Sequence, residues 1–358
     1  MSDNERPDDD RTSAATPVLS VEDLVVEFAM RDGNRLRAVS GISFDVHQGE
    51  TVGLVGESGC GKSTTAKAVA MHTQITSGRV LFHGADLYEA SGEERRVLRT
   101  RLQMIWQDAI SSLNPRRTVE DQIQDGLRIW QRGNKAEREA KVREIMEICG
   151  LRFDPQSKRR RHVFSGGQCQ RISIARALVL DPELLICDEV VSALDISVQA
   201  QILNLLQDMK DRYGLTMLFI SHDLGVIRHV SDRVVVMYLG KIAEIARTDD
   251  LFENPLHHYT LALLSSVPDT DANGRPVASR VTIEGDVPSP LHPPSGCRFR
   301  TRCPRAEQRC ADEEPLLREL GEHHMVACHF PVLSEATAMA GVSVDPPTAL
   351  ASGAGGEA

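Results

Sequence analysis

Gly56-Glu57-Ser58-Gly59-Cys60-Gly61-Lys62-Ser63, followed by Thr64, has the spacing G-x4-G-K-[ST]. That spacing suits a phosphate cradle. Glycines let successive backbone N–H groups turn inward around anionic oxygens, and a helix opening at Lys62 adds its dipole. Lys62 brings a mobile positive charge, and the Ser63 hydroxyl can ligate Mg²⁺. A glycine-rich turn could share the spacing, but an apolar strand before and a helix after favour the cradle. Leu184-Leu185-Ile186-Cys187-Asp188-Glu189 is an apolar run ending in two acids. Beside the cradle, Asp188 would join the Mg²⁺ shell and Glu189 would polarise a water against the terminal phosphate of a nucleotide. Two adjacent carboxylates buried there are costly without a cation. The bland alternative is a solvated acidic turn.

Phe164-Ser165-Gly166-Gly167-Gln168 precedes another helix and offers free N–H groups and a hydroxyl, a second anion cradle. One nucleotide does not need two cradles from one chain, so this one would serve a nucleotide held by another subunit; an ordinary N-cap is the alternative. Gln107, between a strand-like segment and a Ser/Asn/Pro loop, could reach a metal or the attacking water. His222, at a strand's C-terminal end, could donate to a γ-phosphate. Phe28 could stack an adenine or simply belong to the core.

Four of the eight cysteines crowd together as Cys297-x5-Cys303-x6-Cys310-x17-Cys328. In a reducing compartment they are read as metal ligands or thiols rather than disulfides. The spacing is not that of the common zinc ribbons. His323, His324 and His329 could join a mixed site, and small buried thiols packing the segment are the bland alternative. Cys60 and Cys169 lie inside the two cradles and are read as small tolerated residues, with alkylation of Cys60 expected to block the cradle.

These residues need strands that end together. Leu19–Phe28, Glu50–Val55, Leu102–Trp106, Glu183–Cys187 and Thr216–Ile220 read as strands, and Arg233–Tyr238 with Lys241–Ala246 as a hairpin. Lys62–Met71, Ala136–Cys149, Gln168–Leu180 and Val198–Tyr213 read as helices. Alternation of this kind predicts an α/β domain with helices on both faces of a largely parallel sheet. Past Leu264 prolines cluster and periodicity fades, so a boundary is expected near 255–285.

The 358 residues, 41% hydrophobic and 26% charged, suit one large domain plus an appendage. No apolar run approaches the ~18–20 residues that cross a bilayer. The acidic, polar N-terminus reads as no signal peptide, so a cytoplasmic protein is expected, with docking on a membrane partner left open. A net charge of -10 argues against a nucleic-acid binder. However, the first 15 residues carry -3 and residues 334–358 another -3, so the folded part is near -4. Residues 1–17 and 334–358 are expected to be disordered tails.

In this order the motifs resemble the ATP-binding subunit of an ATP-binding-cassette (ABC) transporter over residues 18–265. Gly56–Ser63 looks like Walker A, Gln107 the Q-loop, Ser165–Gln168 the signature, Leu184–Asp188 Walker B, Glu189 the catalytic glutamate, Ser192–Asp195 the D-loop and His222 the switch histidine. Ser112-Leu113-Asn114-Pro115-Arg116, Ser192–Gln201 and Gly285–Pro290 with Pro293–Cys297 resemble the oligopeptide/dipeptide/nickel importer ATPases. His257-His258-Tyr259-Thr260, Ala109 and Val190 depart from that pattern, each where proline is usual.

The resemblance implies a P-loop ABC cassette: a RecA-like parallel core, an antiparallel β subdomain and a helical subdomain. Residues 266–333 would form the oligopeptide-transporter-type extension. It implies ATP and Mg²⁺ as ligands, with Phe28, Gly56, Ser58, Gly59, Cys60, Gly61, Lys62, Ser63, Thr64, Asp188 and Asp195 at the nucleotide, and Ser165, Gly166, Gly167 and Gln168 reaching the partner's. Ser63, Gln107 and Asp188 would hold Mg²⁺, and Gln107, Glu189 and His222 would carry the hydrolysis. It also implies a [4Fe–4S] cluster on Cys297, Cys303, Cys310 and Cys328, with zinc as runner-up. The implied partners are a second, paralogous ATPase subunit, two transmembrane permease subunits and an extracytoplasmic solute-binding protein, at the cytoplasmic face of the membrane. Import of peptides is the leading reading. Import of nickel or another small solute, a soluble ABC ATPase in DNA repair or translation, and an ATP-binding regulator are the alternatives. DNA-repair and translation members usually carry two cassettes or long coiled-coil insertions, which this chain lacks.

Overall fold

A computed structural model describes residues 16–31, 33–265 and 285–332. Among the described residues twelve strands form two sheets: β1 (Leu19–Ala29), β2 (Arg35–Val46), β3 (Thr51–Val55), β4 (Ser77–Phe82), β5 (Ala85–Asp86), β6 (Leu102–Ile105), β7 (Leu184–Asp188), β8 (Thr216–Ile220), β9 (Arg233–Tyr238), β10 (Lys241–Arg247), β11 (Arg318–Gly321) and β12 (His324–Val326). The larger sheet has the order β11-β12-β10-β9-β3-β8-β7-β6. The five strands from β9 to β6, at one side of this sheet, are parallel. Every residue of β3, β7 and β8 is buried, which explains their unbroken apolar runs. The register sets Leu54 opposite Ile220, Ile220 opposite Asp188, and Ile105 opposite Cys187. Parallel strands in step end at one edge, so the residues after β3, β6, β7 and β8 emerge side by side.

The smaller sheet, β2-β1-β4-β5, is antiparallel. Sequence reading found β1 but not β2 or β4. β2 mixes arginines with apolar residues, and only its pairing with β1 buries Val39, Ile42, Phe44 and Val46. The helices Gly92–Arg101, Val119–Ile129 and Lys135–Ile148 open on side-chain caps, from Ser91 with Glu94, Thr118, and Asn134 with Glu137. Val119, Ile123 and Leu127 then meet Val142, Ile145 and Met146 and the Gly166–Leu178 helix. The Ile196–Tyr213 helix stops at Gly214, whose φ of 61° completes a left-handed cap.

The C-terminal segment does not stand apart. β12 pairs with β10, setting Glu244 opposite Val326 and Ile245 opposite Met325, so the extension lengthens the main sheet. At the joint Glu244 is wholly buried and accepts hydrogen bonds from Leu256 N (2.7 Å), His257 N (2.9 Å) and His324 Nε2 (2.6 Å). The boundary expected near 255–285 falls partly on residues 266–284, and the expected tails almost wholly on 1–15 and 333–358, outside the described residues. Among the described residues no helix is long and apolar enough to cross a membrane.

Burial lowers the His257 imidazole from its ordinary value to about 4, and its Nδ1 accepts the Tyr259 N–H. The folded state therefore resists a proton that the unfolded chain takes up near pH 6.5. Stability is expected to be full above that pH and to fall as pH drops from 6.5 towards 4, at about 1.4 kcal/mol per pH unit for this group. Denaturant melts across that range check the slope, and His257→Gln should flatten it.

Candidate active site

The loop after β3 is shaped by its glycines. A Cβ on Gly56 would overlap Met237 O, and one on Gly61 would overlap Ala38 O. Gly56 and Gly61 also have φ of 146° and 111°, which L side chains rarely adopt. The Lys62–Val69 helix begins at Gly61 with no side-chain cap, so its first N–H groups face the loop. Lys62 Nζ is turned onto the loop's own carbonyls, Gly56 O at 2.7 Å and Glu57 O at 3.0 Å. Ser58 and Gly59 are exposed at the rim, and Thr64 is half-buried beside Ser63.

Ser63 Oγ donates to Asp188 Oδ1 at 2.9 Å, joining the loop to the end of β7. Burial pushes the Asp188 carboxyl above its usual range; the Ser63 hydrogen bond opposes this and the Glu189 charge adds to it. A part-buried hydroxyl beside a buried carboxylate fits Mg²⁺, which takes one or two carboxylates and completes its shell with water and phosphate oxygens. Asp188→Asn removes a desolvated charge. It should raise the melting temperature of the nucleotide-free protein by about 2–4 °C, for roughly 1 kcal/mol, while abolishing ATP hydrolysis. Calorimetry beside a phosphate-release assay tests both halves.

Glu189 has a φ of 49° and is held there by its N–H to Ile220 O (3.0 Å) and by Ser192 Oγ donating to Glu189 O (3.0 Å). Val190 is buried in the core at this turn, so the turn forms with valine where the resembled family has proline. Ala109 likewise starts a short helix capped by Asp108. Gln107 Nε2 donates to Glu189 Oε2 at 2.7 Å, and His222 Nδ1 lies 3.6 Å from Glu189 Oε1. Gln107, Asp188, Glu189, His222 and Ser63 therefore meet at one sheet edge, as the strand ends require. Phe28 pairs with Leu36 on the antiparallel sheet and is 39% exposed.

Ser165 is exposed, and its Oγ accepts the Gln168 N–H while Gln168 Oε1 accepts the Ser165 N–H, a capping box on its own helix. Among the described residues no hydrogen bond links Ser165–Gln168 to Gly56–Ser63. Asp195 is exposed at the start of the Ile196–Tyr213 helix without making a side-chain cap, next to Ile196 at 85% exposure.

Two residues at the loop were not singled out for it from sequence. Tyr259 accepts the Glu57 N–H at 2.8 Å, and Arg302 pairs with the Glu57 carboxylate at 2.8 Å. Tyr259 stood in a recognisable motif; nothing local marked Arg302. Cys60 is buried, which raises its thiol above the ordinary range, so alkylation there is hindered in the folded protein.

The C-terminal cysteines converge. Burial, helped by the neighbouring thiols of the set, pushes Cys297 up to about 11 and Cys328 up to about 12. Four thiols are suitable donors, but the placing does not fit a metal: among the described residues no three His, Cys, Asp or Glu side chains are set to hold an ion together. His324 is taken up by Glu244, and His329 Nε2 lies 3.0 Å from Glu313 O.

Comparison with known proteins adds to this geometry. Residues 39–192 match the ABC transporter family, and residues 243–310 match the family described as the oligopeptide/dipeptide transporter C-terminal region. Oligopeptide transport ATP-binding protein AppF of Bacillus subtilis is 46% identical over 320 residues, covering 87% of this chain and 97% of its own. Oligopeptide transport ATP-binding protein OppF of Escherichia coli is 45% identical over 326 residues, covering 88% and 97%. Among solved structures, cbiO1 of Clostridium perfringens, part of an ABC transporter complex, superposes with a TM-score of 0.59 at 26% identity, over 67% of this chain and 92% of its own. An ATP-binding cassette solved as a dimer with ADP and phosphate has the same fold, with a TM-score of 0.59 at 24% identity over 64% of this chain and 98% of its own.

Proposed function

The chain belongs to the ABC transporter family of ATP-binding proteins, and from that premise we propose that it hydrolyses ATP to drive import of oligopeptides or dipeptides across a membrane. The observation that carries the chemistry is Glu189 gripped between Gln107 and His222, one residue beyond an Asp188 bonded to Ser63.

Lys62 gives up the Gly56 and Glu57 carbonyls for the β- and γ-phosphates, while the loop N–H groups and the helix start hold the remaining oxygens. Ser63, Asp188 and Gln107 would hold Mg²⁺, which would supply charge neutralisation at the phosphate oxygens. Glu189 orients and polarises the attacking water, and His222 donates to the γ-phosphate. Ser165–Gly167 of a second ATPase subunit closes over the other side of the nucleotide, and exposed Asp195 lies in that contact. This is why Ser165 needs no partner in its own chain beyond the cap. Closure of two such subunits drives two permease subunits that receive cargo from an extracytoplasmic binding protein. The chain then sits peripherally on the cytoplasmic face.

Purification from membranes tests the assembly. Permease subunits should co-purify with ATPase activity, whereas nucleic acid without a membrane partner would defeat the importer reading. For the cysteines the finer reading is a [4Fe–4S] cluster, supported by four converging thiols. It needs Cys297, Cys303, Cys310 and Cys328 to draw closer than they stand. Metal and sulfide analysis with a visible spectrum decides among iron–sulfur, zinc and free thiols.

A further inference from the structure

We propose that Arg302, in the C-terminal extension, is a positioning residue for the phosphate loop, neutralising Glu57 and holding the loop in shape so that the extension sets the affinity for ATP. This rests on the reading of Gly56–Ser63 as the ATP site.

Glu57 is the first residue after the strand-end glycine of the loop, and it is held at three points. Its N–H goes to Tyr259 OH at 2.8 Å, its C=O accepts Lys62 Nζ at 3.0 Å, and its carboxylate takes Arg302 Nη1 at 2.8 and 3.1 Å. Only 9% of the Arg302 side chain is exposed, and Nη1 also reaches Tyr238 OH at 3.3 Å. Burial would draw the guanidinium down, but the bonds to Glu57 and Tyr238 hold it above its usual range.

The extension is anchored where it delivers this arginine. Arg302 N donates to Phe299 O at 3.0 Å, and the Phe299 ring packs against Tyr238 and Tyr259 with centroids 5.3 and 5.4 Å apart. Arg298 donates to Leu239 O, and the adjoining Gly240 N donates to Cys60 O at 2.8 Å, so a second strut backs the same loop.

Two consequences follow from charge and geometry. A bare carboxylate in an anion cradle repels a polyphosphate, and Arg302 cancels it. When Lys62 turns to the phosphates, Glu57 loses one of its three anchors, leaving Tyr259 and Arg302 to keep the loop N–H groups aimed. Among the described residues neither Glu57 nor Arg302 is hydrogen-bonded to Ser63, Gln107, Asp188, Glu189 or His222, so the pair acts on binding.

The test is the KM for ATP of the full chain in the assembled, membrane-extracted complex. R302M should raise KM about tenfold with kcat within about twofold, the signature of lost uniform binding, while R302K stays within about threefold of the parent. In an E57Q background, R302M should change KM by less than about twofold, because the charge it answers is gone. An unchanged KM in R302M, or an equal rise with and without E57Q, overturns the proposal. If R302M alone fails to assemble, the E57Q/R302M double variant is compared with E57Q, and a tenfold difference there overturns it. A parent without saturable ATP turnover would instead defeat the ATPase reading.

Discussion

Glu189→Gln is expected to lower ATP turnover by about 10²- to 10⁴-fold while nucleotide affinity stays within about twofold, the range lost when a positioned general base is removed. The substitution is nearly isosteric. A glutamine can still accept from Gln107 Nε2 and keep its own N–H on Ile220 O, so the turn after β7 should persist. What is lost is the negative charge proposed to polarise water. Asp188, Ser63 and the phosphate loop are untouched, so binding should survive, and the two subunits should remain closed on unhydrolysed ATP. Phosphate release, equilibrium nucleotide binding and the oligomeric state with ATP check the three parts. Unchanged turnover would remove Glu189 from the chemistry; lost binding would make it structural.

Glu244→Ala should be the most destabilising single change away from the nucleotide, at about 3–5 kcal/mol, or a fall of about 10 °C in melting temperature. Glu244 is fully buried, and three donors converge on it: Leu256 N, His257 N and His324 Nε2. Removing the carboxylate strands all three out of water, which costs the desolvation of each. Glu183 provides the contrast. It accepts from Arg101 and lies 2.8 Å from His83 Nε2, but its side chain is 38% exposed, so Glu183→Ala should cost about 1 kcal/mol or less. Because Glu244 ties β10 to His324 on β12, its loss should also make the extension the first segment cut in limited proteolysis. Equal effects of the two substitutions would mean that burial does not set the scale.

The strands that carry the active-site edge were legible because their signal is local. β3, β7 and β8 are buried on both faces, and complete burial demands the continuous apolar runs that were read. The Lys62–Val69 helix was marked by the motif that precedes it, and the Ile196–Tyr213 helix by its closing glycine. β2 and β4 were not found, because a strand that is partly exposed and interrupted by charge takes its identity from the partner it pairs with. β11 and β12 were missed for the same reason: four and three residues say nothing until β10 is beside them.

The sequence by itself determined the chemistry available here. The glycines of Gly56–Ser63, the paired acids after Leu184–Cys187, and Gln107 and His222 at strand ends are short patterns whose geometry is set within a few residues. Only the tertiary structure decided who meets whom. Gln107 reaches Glu189 across 82 residues of chain, and Arg302 reaches Glu57 across 245. Such contacts depend on the parallel register and on where the extension docks, and a lone arginine carries no periodicity to announce its partner. The four cysteines mark the same limit from the other side. Their crowding was visible in the sequence and the fold draws them together, but the spacing of donors around a metal is a three-dimensional quantity that their order in the chain does not set.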